Sequence, residues 1–203
     1  ILDDTKGGMN FYKNGDVIDY VVETNIQAFS RFTIPAGHPN YEVQNTTHFD
    51  EDIYLLSMGP HAHYRGKAVR IELQRPDRQF RETLLSIPNY DFTWQFQYEL
   101  NEPLFIPAGS SMITTWWYDN SEANLYNPDP TVDVIYGAAT TDEMMNSRIY
   151  FARTEPLGLV VGDEIPAEIL ERSRAAEERA RSRAIEWEVA SQSCGVRVAG
   201  RGR

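Results

Sequence analysis

From about residue 17 to 155 the chain is cut into short β-type runs by turn residues, and no helical repeat of useful length precedes residue 165. Ile26-Gln27-Ala28-Phe29-Ser30-Arg31-Phe32-Thr33-Ile34 partly alternates apolar with polar and stops at Pro35-Ala36-Gly37. Val69-Arg70-Ile71-Glu72-Leu73 alternates cleanly and stops near Pro76-Asp77. Leu104-Phe105-Ile106 ends at Pro107-Ala108-Gly109, and a bulky run follows from Met112 to Tyr118. Val132 to Tyr136 and Ser147 to Phe151 read as further strands. Many short strands with turns between them predict an all-β fold, an antiparallel β-sandwich of jelly-roll-like type. Hydrophobic residues make up 41% of the 203, with 12% aromatic, so such a sheet pair has enough apolar material for a core.

Pro166 marks a change of character, since proline suits the first turn of a helix. Ala167 to Trp187 is rich in Ala, Glu and Arg, with Ile169, Leu170, Ile185 and Trp187 as its large apolar residues. That stripe is thin, which leaves the helix either solvent-bridging or detached. The expected organisation is a linker over 1–16, a β-sandwich domain over 17–160 and a helical, partly disordered tail over 161–203. Ile1 in place of Met reads as an excised piece whose targeting signal lies elsewhere.

Composition removes several function classes. The net charge of -11 repels phosphate and argues against nucleic-acid binding. No stretch approaches the roughly 20 apolar residues of a membrane helix. One cysteine, Cys194, rules out an intrachain disulfide and any cluster of thiolate ligands.

Two motifs carry chemistry. In Pro60-His61-Ala62-His63-Tyr64-Arg65-Gly66-Lys67, residues i and i+2 of an extended segment share a face, so His61 and His63 present two imidazoles side by side. Such a pair suits copper, zinc, iron or nickel, or is simply two histidines at a polar strand end. In Thr141-Asp142-Glu143-Met144-Met145-Asn146, neighbouring methionines face opposite ways on a strand, so at most one reaches a site while the other packs. A thioether is soft and selects Cu(I).

Together the motifs resemble the C-terminal copper domain of the copper type II, ascorbate-dependent monooxygenases, the group containing peptidylglycine α-hydroxylating monooxygenase and dopamine β-monooxygenase. The resemblance runs from about Phe32 to Ala152 and also includes Arg65-Gly66-Lys67 and Tyr118-Asp119-Asn120-Ser121. Asn89-Tyr90-Asp91-Phe92-Thr93-Trp94-Gln95 is similar to bacterial members. The resemblance implies one copper ion held by His61, His63 and Met144, with Met145 packing instead. It further implies dioxygen binding, hydroxylation of an aliphatic C–H, ascorbate or another reductant as electron donor, and an extracytoplasmic (periplasmic or secreted) location. Members route electrons through a second copper held by three histidines on a preceding domain. This chain has four histidines, and His38 and His48 alone do not make that site, so an electron-donor domain or protein partner is expected. His38 reads as a turn residue and His48 as a surface residue near a strand start.

Substrate recognition departs from the peptide-hydroxylating members. Gly59 stands where they have Arg, and Arg148 where they have Tyr, while Asn146 is kept. Asn146 and Arg148 are therefore the candidate substrate-binding residues, for a small-molecule or peptide-like substrate, with Arg148 able to take a carboxylate unless it is a solvated strand residue. Trp116-Trp117-Tyr118 reads as a core pair with one ring facing out. Asp119-Asn120-Ser121 reads as a turn, or as a partner of the histidines. Arg65 and Lys67 read as solvent-facing or paired with acids. The competing function is a non-catalytic copper-binding or electron-transfer module, or a structural sandwich without chemistry.

Overall fold

The computed structural model describes residues 13–167, 169–171, 174–175 and 178. Twelve strands run in chain order: β1 (Val17–Ile18), β2 (Glu23–Ala28), β3 (Thr33–Ile34), β4 (Tyr41–His48), β5 (Ile53–His61) and β6 (Gly66–Gln74) come first. They are followed by β7 (Arg81–Ile87), β8 (Tyr98–Ile106), β9 (Ser111–Tyr118), β10 (Val134–Ile135), β11 (Asn146–Arg153) and β12 (Leu159–Val160).

Two compact units result, 20–156 and, separately, the described residues of 1–19 with those of 157–203. The first is an all-β sandwich. One four-stranded sheet has the order β2-β11-β5-β8 and the other β4-β9-β6-β7, with antiparallel pairing throughout. Strict alternation gives each strand one inward face. Leu55, Met58 and Ile149 of one sheet and Val69, Ile71, Leu73, Met112 and Trp116 of the other are all buried in one hydrophobic cluster. Each such side chain contributes on the order of 1.5–3 kcal/mol by leaving water. In the second unit, β1 pairs β12 antiparallel, and the described residues of 167–178 are helical. Residues 1–12 of the linker predicted over 1–16, and residues 168, 172–173, 176–177 and 179–203 of the tail predicted over 161–203, lie outside the described residues.

The single run expected over 26–34 is broken into β2 and β3. Aromatic packing accounts for the break: Phe29 and Phe32 stack 6.4 Å apart, and Phe32 stacks on buried Tyr118 at 5.6 Å. The Phe29 amide still donates to the Met145 carbonyl, in register with the β2–β11 ladder, and the pairing stops there. Strand β5 alternates buried with half-buried positions, interrupted by a register shift against β8 between Leu55 and Ser57. His48 ends β4 and does not stand near a strand start. Trp116 and Tyr118 are fully buried, whereas Trp117 turns outward, where its Nε1 donates to Glu42 and Arg70 lies 5.4 Å over its ring.

Candidate metal centre

His61 is the last residue of β5, and His63 follows just beyond the strand. Their ring centroids are 5.2 Å apart with the planes at 84°. Each ring is held through Nδ1. His63 Nδ1 lies 3.2 Å from the Asp142 carbonyl oxygen, which only accepts, so Nδ1 carries the proton. His61 Nδ1 lies 2.5 Å from Gln95 Oε1. Burial holds His63 below the ordinary imidazole pKa, opposed by that carbonyl, so its ring is neutral near pH 7 with a lone pair on Nε2.

The methionine motif arrives from the neighbouring strand. Asn146, the first residue of β11, pairs directly with His61 across the sheet. Met145, Ser147 and Ile149 are buried inward, while Met144, Asn146, Arg148 and Tyr150 alternate to the other face. Met144 Sδ lies 3.3 Å from Asn146 Nδ2, and the Asn146 oxygen accepts from the Tyr136 hydroxyl at 3.2 Å. Thus His61, Asn146 and Met144 share one side of the sheet edge, and Met145 packs in the core at 1% exposure. Arg148 pairs with Gly59 two residues further along and is exposed. Beyond it the Ser57–Tyr150 pair lines an open cavity of about 400 Å³, with Val22, Leu100 and Pro103 as apolar walls.

One buried carboxylate draws the two motifs together. Glu143, wholly inaccessible, accepts from the backbone amides of His63, Arg65 (3.0 Å) and Met144 (2.8 Å). Burial pushes its pKa up to about 7, against the pull of those three donors and of the Arg65 charge. The Tyr118 hydroxyl donates to the Met144 carbonyl at 2.8 Å, so the Met144 backbone is held at both ends. Glu143 also forms a bridge with Tyr136, which ties the methionine motif to β10. Sequence reading quoted Glu143 within its motif but gave it no role. Its signal was a second acid after Asp142 and directly before two methionines, a pattern common on exposed turns as well.

Arg65 differs from expectation. It is 1% exposed, its Nε donates to Asn120 Oδ1 at 2.8 Å and its Nη1 to the Thr141 carbonyl at 2.8 Å. A guanidinium is buried here because a fixed set of acceptors meets its donors and Glu143 supplies negative charge nearby. Asn120 is accordingly a fully buried partner of Arg65, not of the histidines, and donates to the Pro35 and Val132 carbonyls at 3.0 Å. The turn sits on Asp119, whose Oδ1 accepts from the Ser121 amide and hydroxyl. Lys67 is exposed and reaches the Pro39 carbonyl.

The loop 88–97 covers the histidines from one side. The Tyr90 hydroxyl donates to the Ala62 carbonyl at 2.9 Å and accepts from the Ala62 amide at 3.2 Å, between the two histidines. Gly66 permits this approach, because a Cβ there would lie 2.9 Å from the Tyr90 ring. Phe92 meets the His63 ring edge-on at 6.1 Å. His38 and His48 are exposed and stand in other settings: His38 Nδ1 accepts from the Asn40 amide, and His48 contacts Ser111.

Two imidazoles with a thioether close by suit a soft, reduced metal ion. Among the described residues no group of three His, Cys, Asp or Glu side chains converges. The described helical residues include no segment long and apolar enough to cross a membrane. The family model for the copper type II ascorbate-dependent monooxygenase, C-terminal domain, matches residues 20–166. A search of curated proteins returns no match.

Proposed function

We infer the function from the premise that this chain belongs to the copper type II ascorbate-dependent monooxygenase family, through its C-terminal domain: it is the copper half of an oxygenase, with His61, His63 and Met144 as the ligands of one ion. The observation that supports this most is that His63, and through its contact with Gln95 also His61, direct Nδ1 into the protein and leave Nε2 available. When bound, copper supplies dioxygen binding and the oxidation that hydroxylates an aliphatic C–H, with electrons from ascorbate or another reductant.

The chain's own residues do the rest. Glu143 fixes the backbone at 63, 65 and 144, so ligands from distant parts of the sequence keep one spacing. Asn146 orients the thioether through its amide. Arg148, exposed on the same face, offers a guanidinium to an anionic group of the substrate. Substrate lies along this face, from Asn146 past Arg148 towards the cavity at Ser57 and Tyr150, four residues or about 13 Å from His61. Gly59 and Arg148 give this face a different polar pattern from the peptide-hydroxylating members, so a peptide C-terminus is not the assigned substrate. Electrons reach the site from another domain or protein, in an extracytoplasmic compartment.

Copper stoichiometry and X-ray absorption test the ligand set. One Cu(I) per chain with a sulfur scatterer is expected, and Met144→Ala should remove the sulfur signal and weaken Cu(I) more than Cu(II). An unchanged sulfur signal in that variant overturns the assignment. Oxygen consumption with ascorbate, an electron-donor domain and candidate aliphatic acids then separates oxygenation from copper binding alone.

A further inference from the structure

The two imidazoles are oriented by unlike groups. His63 leans on a backbone carbonyl that no substitution at Asp142 removes, in a pocket that leaves it 4% exposed. His61 is more open and relies on one side chain, Gln95, brought in by the loop 88–97.

The orientation of the Gln95 amide follows from its other end. Nε2 donates to the Phe92 carbonyl at 2.7 Å. Turning the amide over would set oxygen against oxygen there, so Oε1 must face His61. An amide oxygen only accepts, and His61 Nδ1 must therefore carry the proton. The lone pair is left on Nε2. The loop that presents Gln95 is braced within itself: Asp91 Oδ1 accepts from the Thr93 amide at 2.8 Å and its hydroxyl at 2.7 Å, and the Trp94 amide donates to the Asp91 carbonyl at 3.0 Å. Tyr90 anchors the same loop on Ala62, one residue from His61.

We propose that Gln95 is a positioning residue that fixes the His61 tautomer and ring angle, so that Nε2 and not Nδ1 is presented to the metal. This rests on the ligand assignment proposed above for His61. Groups of this kind, one shell out from a metal, typically change affinity by about 10- to 100-fold when removed. Gln95→Leu deletes the acceptor at similar volume, and water at a half-open ring does not enforce a single tautomer. Gln95→Glu keeps an acceptor oxygen at the same reach but sets its second oxygen against the Phe92 carbonyl, so it restores the contact with His61 only in part.

The test uses the full chain without metal first. Long-range proton–nitrogen NMR spectra report the protonated ring nitrogen of each histidine. Wild type and Gln95→Glu should show His61 protonated at Nδ1, Gln95→Leu should show a mixture with Nε2, and His63 should not change in any of them. Competition with a chromophoric Cu(I) chelator should then show about 10- to 100-fold weaker binding for Gln95→Leu and partial recovery for Gln95→Glu. Unchanged His61 ring shifts in Gln95→Leu, or altered shifts with unchanged Cu(I) affinity, overturn the proposal. His61→Ala is the separate check on the premise: if that variant binds Cu(I) like wild type, the ligand assignment falls, whatever Gln95 does to the ring.

Discussion

His63 and His61 stand two residues apart in sequence and 5.2 Å apart in space, yet the regions around them are built differently. On the His63 side, a buried carboxylate, a buried guanidinium and backbone carbonyls form a closed polar hub with almost no exposure. On the His61 side, an exposed loop supplies one amide, Gln95, and its Trp94 and Phe96 project into solvent at 65% and 48% exposure. Buried polar groups cost little when every partner is present and a great deal when one is removed. An exposed contact can be replaced by water. The hub therefore carries stability, and the rim carries the fine placement of one ring.

The largest effect expected from this contrast is at Glu143. Glu143→Ala leaves three backbone amides without their acceptor and the buried Arg65 charge without its nearby countercharge, a loss of about 3–5 kcal/mol. Urea denaturation should show it, and a loss below about 1 kcal/mol would break the distinction between hub and rim.

Between the two regions lies the Tyr90 clamp. Tyr90→Phe should cost about 1–3 kcal/mol, because it leaves both polar groups of Ala62 unpaired. Gly66→Ala should cost a similar amount, since the new methyl meets the Tyr90 ring and the Ala62 methyl at 2.9 Å. Thermal melts of the two single variants and the double variant would sharpen the comparison: the losses should fall short of additive, because both act on the same clamp.

The smallest stability effect belongs to the open face. Arg148→Gln should change unfolding free energy by less than about 0.5 kcal/mol, as for an exposed side chain away from caps and core. It should nevertheless weaken binding of aliphatic carboxylates relative to the matching alcohols, read by calorimetry. Equal binding of acid and alcohol by the unmodified chain would remove Arg148 from the substrate site.

Much of this was legible in the residues. Clean alternation in Val69–Leu73 and the turn residues after Ile34, Leu73 and Ile106 mark real strand ends, because period two and turn chemistry are local properties. That one methionine of the pair packs and one ring of Trp116-Trp117-Tyr118 faces out follows from the same alternation; the structure decides that they are Met145 and Trp117. Arg65 was misread for a physical reason. Arginine is seldom fully buried, and its acceptors come from Asn120 and Thr141, more than fifty residues away. The break between β2 and β3 was hidden likewise, because the ring that draws Phe32 out of the ladder is Tyr118 on another sheet.

Taken alone, the amino-acid order determined the β class, the spacing of two imidazoles two residues apart, and, with one cysteine, the lack of a thiolate cluster. Those are matters of residue type and of spacing within a few positions, where backbone geometry leaves little freedom. Only the tertiary structure decided that Asn146 lies opposite His61, that Glu143 joins the two motifs and that Gln95 reaches the His61 ring. Strand register and loop closure set those contacts across 34 to 85 positions, and both depend on how the whole core packs.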